Sequence, residues 1–292
     1  MTTTNSLVGS QANDQVGSSG ARSLTNGDYV VSSPNWANGS ATKAGASTRC
    51  SGTTGCSGAV TTANSLTGSR ANDKVGNFLA VALPNGSYVV RSPEWANGST
   101  LRAGAVTWCG GTSVCTGVVT SANSLVGSQA NDQIGDYVTS LTNGNYVVSS
   151  VMWDNGGAAD AGAVTWCSGS SGCTGPVNTA NSLVGSRPSD WIGNGWTGVR
   201  GLVNGTYVVL SPSWDNGGTV DSGAVTWVYG VAGTPTGTIT GQNSVLGTAV
   251  SGGPVMNIAY DELHGRLYVG RPADNMVTVV GVTMTYLPLV MK

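Results

Sequence analysis

Asn143-Gly144-Asn145-Tyr146-Val147-Val148-Ser149-Ser150 is followed by Gly162-Ala163-Val164-Thr165-Trp166, and both stretches recur along the chain. Asn-Gly-x-Tyr-Val-Val also starts at Asn26, Asn85 and Asn204, and Gly-Ala-Val-Thr-Trp at Gly104 and Gly223, with Gly45-Ala46-Ser47-Thr48-Arg49 as a divergent first copy. Working outward, Asn-Ser-Leu stands at Asn5, Asn64, Asn123 and Asn181, and Asn-Ser-Val at Asn243, so the unit is 58 to 62 residues long. Each unit also carries a turn ending in Asp14, Asp73, Asp132 or Asp190, and soon after it an apolar-Gly pair such as Val16-Gly17 or Ile134-Gly135. Self-similarity at a fixed period marks a repeat architecture in which one unit is one supersecondary element.

The segments are short, rich in Val, Tyr, Thr and Trp, and separated by Asn-Gly or Gly-rich turns, which points to strands. In the third copy the reading is strand A at 138–141, strand B at 146–150, strand C at 163–167 and strand D at 177–183. Asn-Gly before strand B predicts a type I′ hairpin joining A to B. A lone four-stranded sheet leaves both faces uncovered, and radial stacking covers them, so the expected fold is an all-β, five-bladed β-propeller of four-stranded antiparallel blades. The repeats run over about 5–63, 64–122, 123–180, 181–242 and a divergent 243–292, within one domain spanning 1–292. Thr3 to Gly9 matches the end of a blade, which predicts that this N-terminal strand completes blade five and closes the ring; residues 283–292 are the competing source of that strand. A parallel β-helix is the alternative fold.

Composition narrows the function classes. Only 9% of the 292 residues are charged and the net charge is -2, which excludes a basic nucleic-acid surface or a polybasic membrane patch. With 39% hydrophobic residues, nine Trp and nine Tyr, the chain is too apolar for a solvated coil. No run of 18 apolar residues suits a membrane span, and Met1 to Asn5 does not read as a signal peptide, so any export signal is expected outside this sequence.

The order of Asp, apolar-Gly, hairpin, Ser-Pro and Gly-Ala-Val-Thr-Trp resembles the FG-GAP repeat of integrin-type propellers. Val16-Gly17, Val75-Gly76, Ile134-Gly135 and Ile192-Gly193 stand for Phe-Gly, and Ser33-Pro34, Ser92-Pro93, Ser211-Pro212 and Arg271-Pro272 for Ala-Pro. The 143–150 stretch is similar to tandem repeats of secreted bacterial surface proteins of filamentous-haemagglutinin type, across four of the five copies. The fifth copy, Ile258 to Tyr260, Arg266 to Val269 and Asn275 to Val277, looks like a YVTN repeat. FG-GAP blades typically carry calcium between strands A and B. Here that turn, Thr25-Asn26-Gly27-Asp28 or Val203-Asn204-Gly205-Thr206, is too short and too poor in carboxylates for six oxygen ligands, so neither metal nor cofactor is expected.

Six cysteines fall as Cys50 and Cys56, Cys109 and Cys115, Cys167 and Cys173, one pair after each of the first three C strands. Five intervening residues at a C-to-D hairpin place each pair for a disulfide, and the spacing does not suit zinc. Disulfides imply an oxidising compartment, extracellular or at the cell surface. His264, the one histidine, reads as a turn residue, and an Asp repeated in each of four blades reads as a turn or interblade hydrogen-bonding group rather than a catalyst.

The remaining candidates are aromatic. Trp108, Trp166 and Trp227 end strand C and are expected between blades. Trp36, Trp95, Trp153 and Trp214 sit in B-to-C loops beside Asn38, Asn97, Asn155 and Asn216 on one face of the ring, where indoles next to amides make a carbohydrate site. The alternative is that each indole caps its own blade. Trp191 and Trp196 belong to the fourth copy alone and break the repeat. The function expected from sequence is therefore a non-enzymatic adhesion or recognition module with weak multivalent carbohydrate binding. The second reading is a structural spacer or self-assembling filament subunit, whose partner is another surface protein or a second copy. An enzyme centred on Asp261, Glu262 and His264 is the third.

Overall fold

The computed structural model describes residues 4–112, 115–194, 198–228, 235–281 and, for the backbone, 287–289. Twenty-five strands follow in chain order, with no α-helix among the described residues. The first repeat holds Leu7–Val8 (β1), Ala21–Ser23 (β2), Tyr29–Ser33 (β3), Ala46–Cys50 (β4) and Gly58–Ala59 (β5). The second holds Leu66–Thr67 (β6), Val81–Ala82 (β7), Tyr88–Ser92 (β8), Ala105–Cys109 (β9) and Gly117–Val118 (β10). The third holds Ser124–Val126 (β11), Tyr137–Ser140 (β12), Tyr146–Ser150 (β13), Ala163–Cys167 (β14) and Gly175–Pro176 (β15). The fourth holds Leu183–Val184 (β16), Val199–Gly201 (β17), Tyr207–Ser211 (β18), Ala224–Val228 (β19) and Gly237–Thr238 (β20). Ser244–Leu246 (β21), Asn257–Asp261 (β22), Arg266–Arg271 (β23), Met276–Val280 (β24) and Leu287–Leu289 (β25) complete the chain.

These strands form five sheets of four or five strands and one two-stranded pair. The first four sheets are blades in the order A, B, C, D: β2-β3-β4-β6, β7-β8-β9-β11, β12-β13-β14-β16 and β17-β18-β19-β21. Strands B and C fall where the sequence puts them, at 146–150 and 163–167 in the third copy. They are buried on nearly every position rather than on alternate ones, because their β-branched side chains have a neighbouring blade on each face. Tyr88, Tyr146 and Tyr207 lie fully inside, and burial raises the Tyr88 hydroxyl pKa to about 12.

Two local expectations are corrected. In the first three A-to-B turns only the Gly is left-handed (Gly27, Gly86, Gly144, φ near +90°), so these turns are not type I′. The Gly27 N–H donates to Leu24 O and the Leu24 N–H to Asp28 O, the pattern of a type I turn closed by a glycine bulge. Only the fourth copy has both Asn204 and Gly205 at positive φ.

Strand D at 177–183 is likewise two pieces with different partners. After β14 the chain turns through Cys167–Cys173 and lays β15 parallel against β11 of the preceding blade, Leu125 opposite Gly175. It then returns to complete its own blade with β16, antiparallel to β14. The same excursion pairs β5 with β1, β10 with β6, and β20 with β16. The return is set by Asn-Ser-Leu. Asn64 Oδ1 accepts the Thr61 N–H and the Ser65 hydroxyl, its Nδ2 donates to Ala59 O, and Ser65 Oγ lies 2.7 Å from Thr48 Oγ1. This polar relay ties strand C, strand D and the staple strand together, and it recurs with Asn123, Asn181 and Asn243.

Ring closure by the N-terminal strand is not what forms. β1 pairs with β5, and the D position of the fifth sheet, beside β24, is held by β25. The last residues thus supply the strand that Thr3 to Gly9 was expected to supply. The fifth sheet, β22-β23-β24-β25, also sends no staple strand to β21, since among the described residues β21 ends its sheet. The carbonyls of Val8, Thr67 and Val126 accept the staple N–H groups of Val60, Val119 and Val177 at 3.0 Å. At the equivalent Leu246 O, Arg271 Nη1 donates at 2.6 Å, while Arg271 Nη2 donates to Thr278 Oγ1. A guanidinium thus replaces the main-chain staple. Arg271→Ala should release the fifth sheet from the fourth, seen as new proteolytic cleavage within 247–256 and an early melting step absent from the parent; Arg271→Lys should give a weaker form of both.

Candidate functional site between the blades

The loops joining strand D of one blade to strand A of the next are held between two B-to-C loops. Asp132 Oδ2 accepts the N–H groups of Ser128 and Gln129 at 2.8 Å, and its Oδ1 accepts the Asp154 N–H at 3.1 Å. On the other side the Asn131, Gln133 and Ile134 N–H groups donate to Leu101, Arg102 and Ala103 O. The connector approaches so closely that a Cβ at Gly104 (φ +79°) would collide with the backbone of Gln133 and Ile134. Asp14, Asp73 and Asp190 repeat the arrangement with Ala37, Ala96 and Asp215. Each of these carboxylates is buried and fixes a turn, as the sequence implied.

Burial raises the pKa of Asp73, Asp132 and Asp190, outweighing the N–H donors that pull it down. A raised carboxyl binds protons in the folded state that the unfolded chain has already lost, so its contribution to stability falls as pH rises through the folded value. The melting temperature should therefore increase as pH falls from neutrality toward the ordinary carboxylate range, and Asp132→Asn should flatten that dependence; thermal melts at several pH values measure it.

The indoles expected to face solvent in the B-to-C loops are buried instead. Trp36, Trp95 and Trp153 are 4% exposed and Trp214 is 5% exposed. Trp36 packs with Ala46, Val60, Leu7 and Val16, and Trp95 joins the core of Val90, Ala105 and Val119. The physical reason lies in the short loops: the main-chain Trp95 N–H donates to Ser92 O and the Gly104 N–H to Trp95 O, a tight turn that leaves the ring in the core shared by the first two repeats. The four indole Nε1 atoms are themselves buried and find no protein acceptor among the described residues. Asn38, Asn97, Asn155 and Asn216 donate through Nδ2 to Gly68, Gly127, Gly185 and Gly247 O, closing the loop against the end of strand D. Trp95→Ala should accordingly cost roughly 3–5 kcal/mol, read by denaturant unfolding.

Trp108 bridges blades, its Nε1 donating to Gly169 O of the next one, and Trp227 meets Tyr260 edge-to-face at 6.3 Å. Trp191 is 36% exposed and its N–H donates to Asp160 O, whereas Trp196 lies outside the described residues. All three cysteine pairs form disulfides, 50 with 56, 109 with 115 and 167 with 173. They clip the turn by which the chain leaves strand C for the neighbouring blade, not a C-to-D hairpin. His264 Nδ1 lies 2.6 Å from Asp261 Oδ2 in an exposed turn.

The repeat hid one cluster. Arg91, Ser32, Ser149 and Leu210 occupy the same register in strand B, and Phe78 is the only phenylalanine in the chain. With Arg22, Ser19, Asn77, Leu79, Val81, Ala82 and Val138, these two line a groove of about 600 Å³ beside the A strands of the first three blades. A departure from the repeat at two neighbouring positions was the available signal.

The chain belongs to the family described as "Repeat of unknown function (DUF5650)", which matches residues 1–18, 23–77, 82–136, 140–194 and 201–252. No curated protein matches it in sequence. Among solved structures it is similar to selenomethionine-substituted virginiamycin B lyase from Staphylococcus aureus, at TM-score 0.40 and 7% identity over 92% of this chain and 68% of that one. It is also similar to a streptogramin B lyase, at TM-score 0.29 and 8% identity over 97% of this chain and 85% of that one. At such scores neither likeness bears on activity.

Proposed function

We propose that the protein is a non-enzymatic structural module of an extracellular or cell-surface protein, a disulfide-stapled, five-bladed propeller-type array that serves as a rigid spacer or assembling unit. The observation that carries this reading is the use made of the repeated residues. Asp132, Asn123, Ser124, Thr107, Trp95 and Asn97 each have counterparts in the other repeat blades, and each is bonded or packed within the fold. A pattern retained for ligand binding would leave polar or aromatic groups facing solvent in every copy. The resemblance to FG-GAP and filamentous-haemagglutinin-type repeats and the three disulfides support an oxidising, external setting.

The adhesion reading, with glycan stacked on the B-to-C indoles, loses its main support because those rings are core. Each disulfide closes a loop of short span and should contribute about 2 kcal/mol. Reduction under native conditions should lower the melting temperature of the intact chain, and the oxidised protein should show no retention on neutral glycans. Binding to neutral glycan that disappears in Trp36→Ala with Trp95→Ala while the fold survives would restore the lectin reading.

A further inference from the structure

The groove beside the A strands departs from the repeat in both shape and charge. Arg91 lies over Phe78, its Cζ 4.6 Å from the ring centroid, and its Nη1 donates to Asp136 O at 2.8 Å. Arg22 Nε donates to Ala80 O at 3.2 Å. Each guanidinium is thus anchored by a single bond to a main-chain carbonyl, which orients it without neutralising it. At the position of Arg22 in strand A, the second and third blades carry Val81 and Thr139, so the first blade alone among these three places a cation here.

The charges around the groove are few. Among the described residues the Asp136 carboxyl is the one carboxylate interacting with Arg91, beside the Tyr137 phenol; burial raises the Asp136 pKa, against the pull of Arg91 and Arg102. Lys74 and Glu94 neutralise each other at 3.0 Å, and Asn77 Nδ2 donates to the same Glu94 carboxylate. Two guanidiniums against one carboxylate leave the groove with a net positive charge. Burial lowers the pKa of Arg91, and the nearby Arg22 cation adds to that lowering. Leu79, Val81, Ala82 and Val138 supply apolar lining, and Phe78 is 40% exposed.

We propose that this groove binds a carboxylated saccharide, its carboxylate held between Arg22 and Arg91 and the apolar face of its ring set against Phe78 and Val81. A guanidinium fork matches a carboxylate in two-point geometry, and the exposed aromatic beside it suits the C–H face of a sugar. The volume is within the range of small-ligand sites. Arg200 repeats the Arg22 position in the fourth blade, so the site is single because Arg91 and Phe78 occur together in the second repeat alone; it is independent of the structural role of the array, which stands whether or not the groove is occupied.

The test is isothermal titration of the full-length oxidised protein with a galacturonic acid disaccharide and with its neutral galactose counterpart. The acidic sugar should bind, the neutral one should bind at least tenfold more weakly, and raised salt should weaken the former. Arg22→Ala, at an exposed position, should keep the parent melting curve and reduce affinity roughly ten- to hundredfold, as for loss of a charged hydrogen bond. Arg91→Lys keeps the charge but loses the planar fork, and it should weaken binding as well. Equal affinity for both sugars, no binding of the acidic one, or unchanged affinity in Arg22→Ala would each overturn the proposal.

Discussion

A blade of four short strands has two apolar faces and only its neighbours to cover them. Everything else follows from how neighbouring blades are held in contact. Here the device is a main-chain pairing only two residues long, in which each of the four repeats lends a strand to the D strand preceding it. Two residues of parallel ladder are weak by themselves. The polar relay through Asn, Ser and Thr, the buried Asp and the disulfide turn all act on the chain just before, within or just after that pairing, and each removes freedom the staple could not restrain alone.

This places the repeated residues in a single economy of structure. Asn-Gly gives the turn whose Asn26 and Asn85 side chains reach Gly111 and Gly169 O in the disulfide loops of following blades. The Asp stitches the opposite end. With both ends of each seam tied, the Tyr and Trp side chains between them are enclosed, which is why the same aromatic positions that look like a binding face in the sequence are interior in the fold. Where, among the described residues, the last repeat sends no staple, Arg271 donates to the Leu246 carbonyl in its place.

The strands B and C and the pairing of cysteines were legible because their signals are local: β-branched runs, turn residues and a fixed five-residue interval. The split of strand D was not, since Gly175–Pro176 and Leu183–Val184 differ in partner rather than in composition, and a partner in another blade leaves no mark in the spacing. The burial of Trp36 and Trp95 was hidden for a similar reason. An indole next to Asn-Gly suits a solvent-facing loop and a tucked one equally, and only the hydrogen bonds of Ser92, Trp95 and Gly104 decide. Arg22, Arg91 and Phe78 went unread because attention to what repeats draws the eye from what does not.

The disulfides have a consequence under load. Where the chain passes from strand C to the neighbouring blade, each bond shortens the path by locking out the five residues between its cysteines. A protein pulled at its two ends transmits tension through those crossings, and slack at a crossing would let a two-residue staple peel apart before its neighbours share the strain. With the loops cinched, the first three crossings yield little length until strands themselves separate. The fourth repeat carries no cysteine pair, and stretching should therefore begin in that repeat, giving the array a weak end and a stiff end.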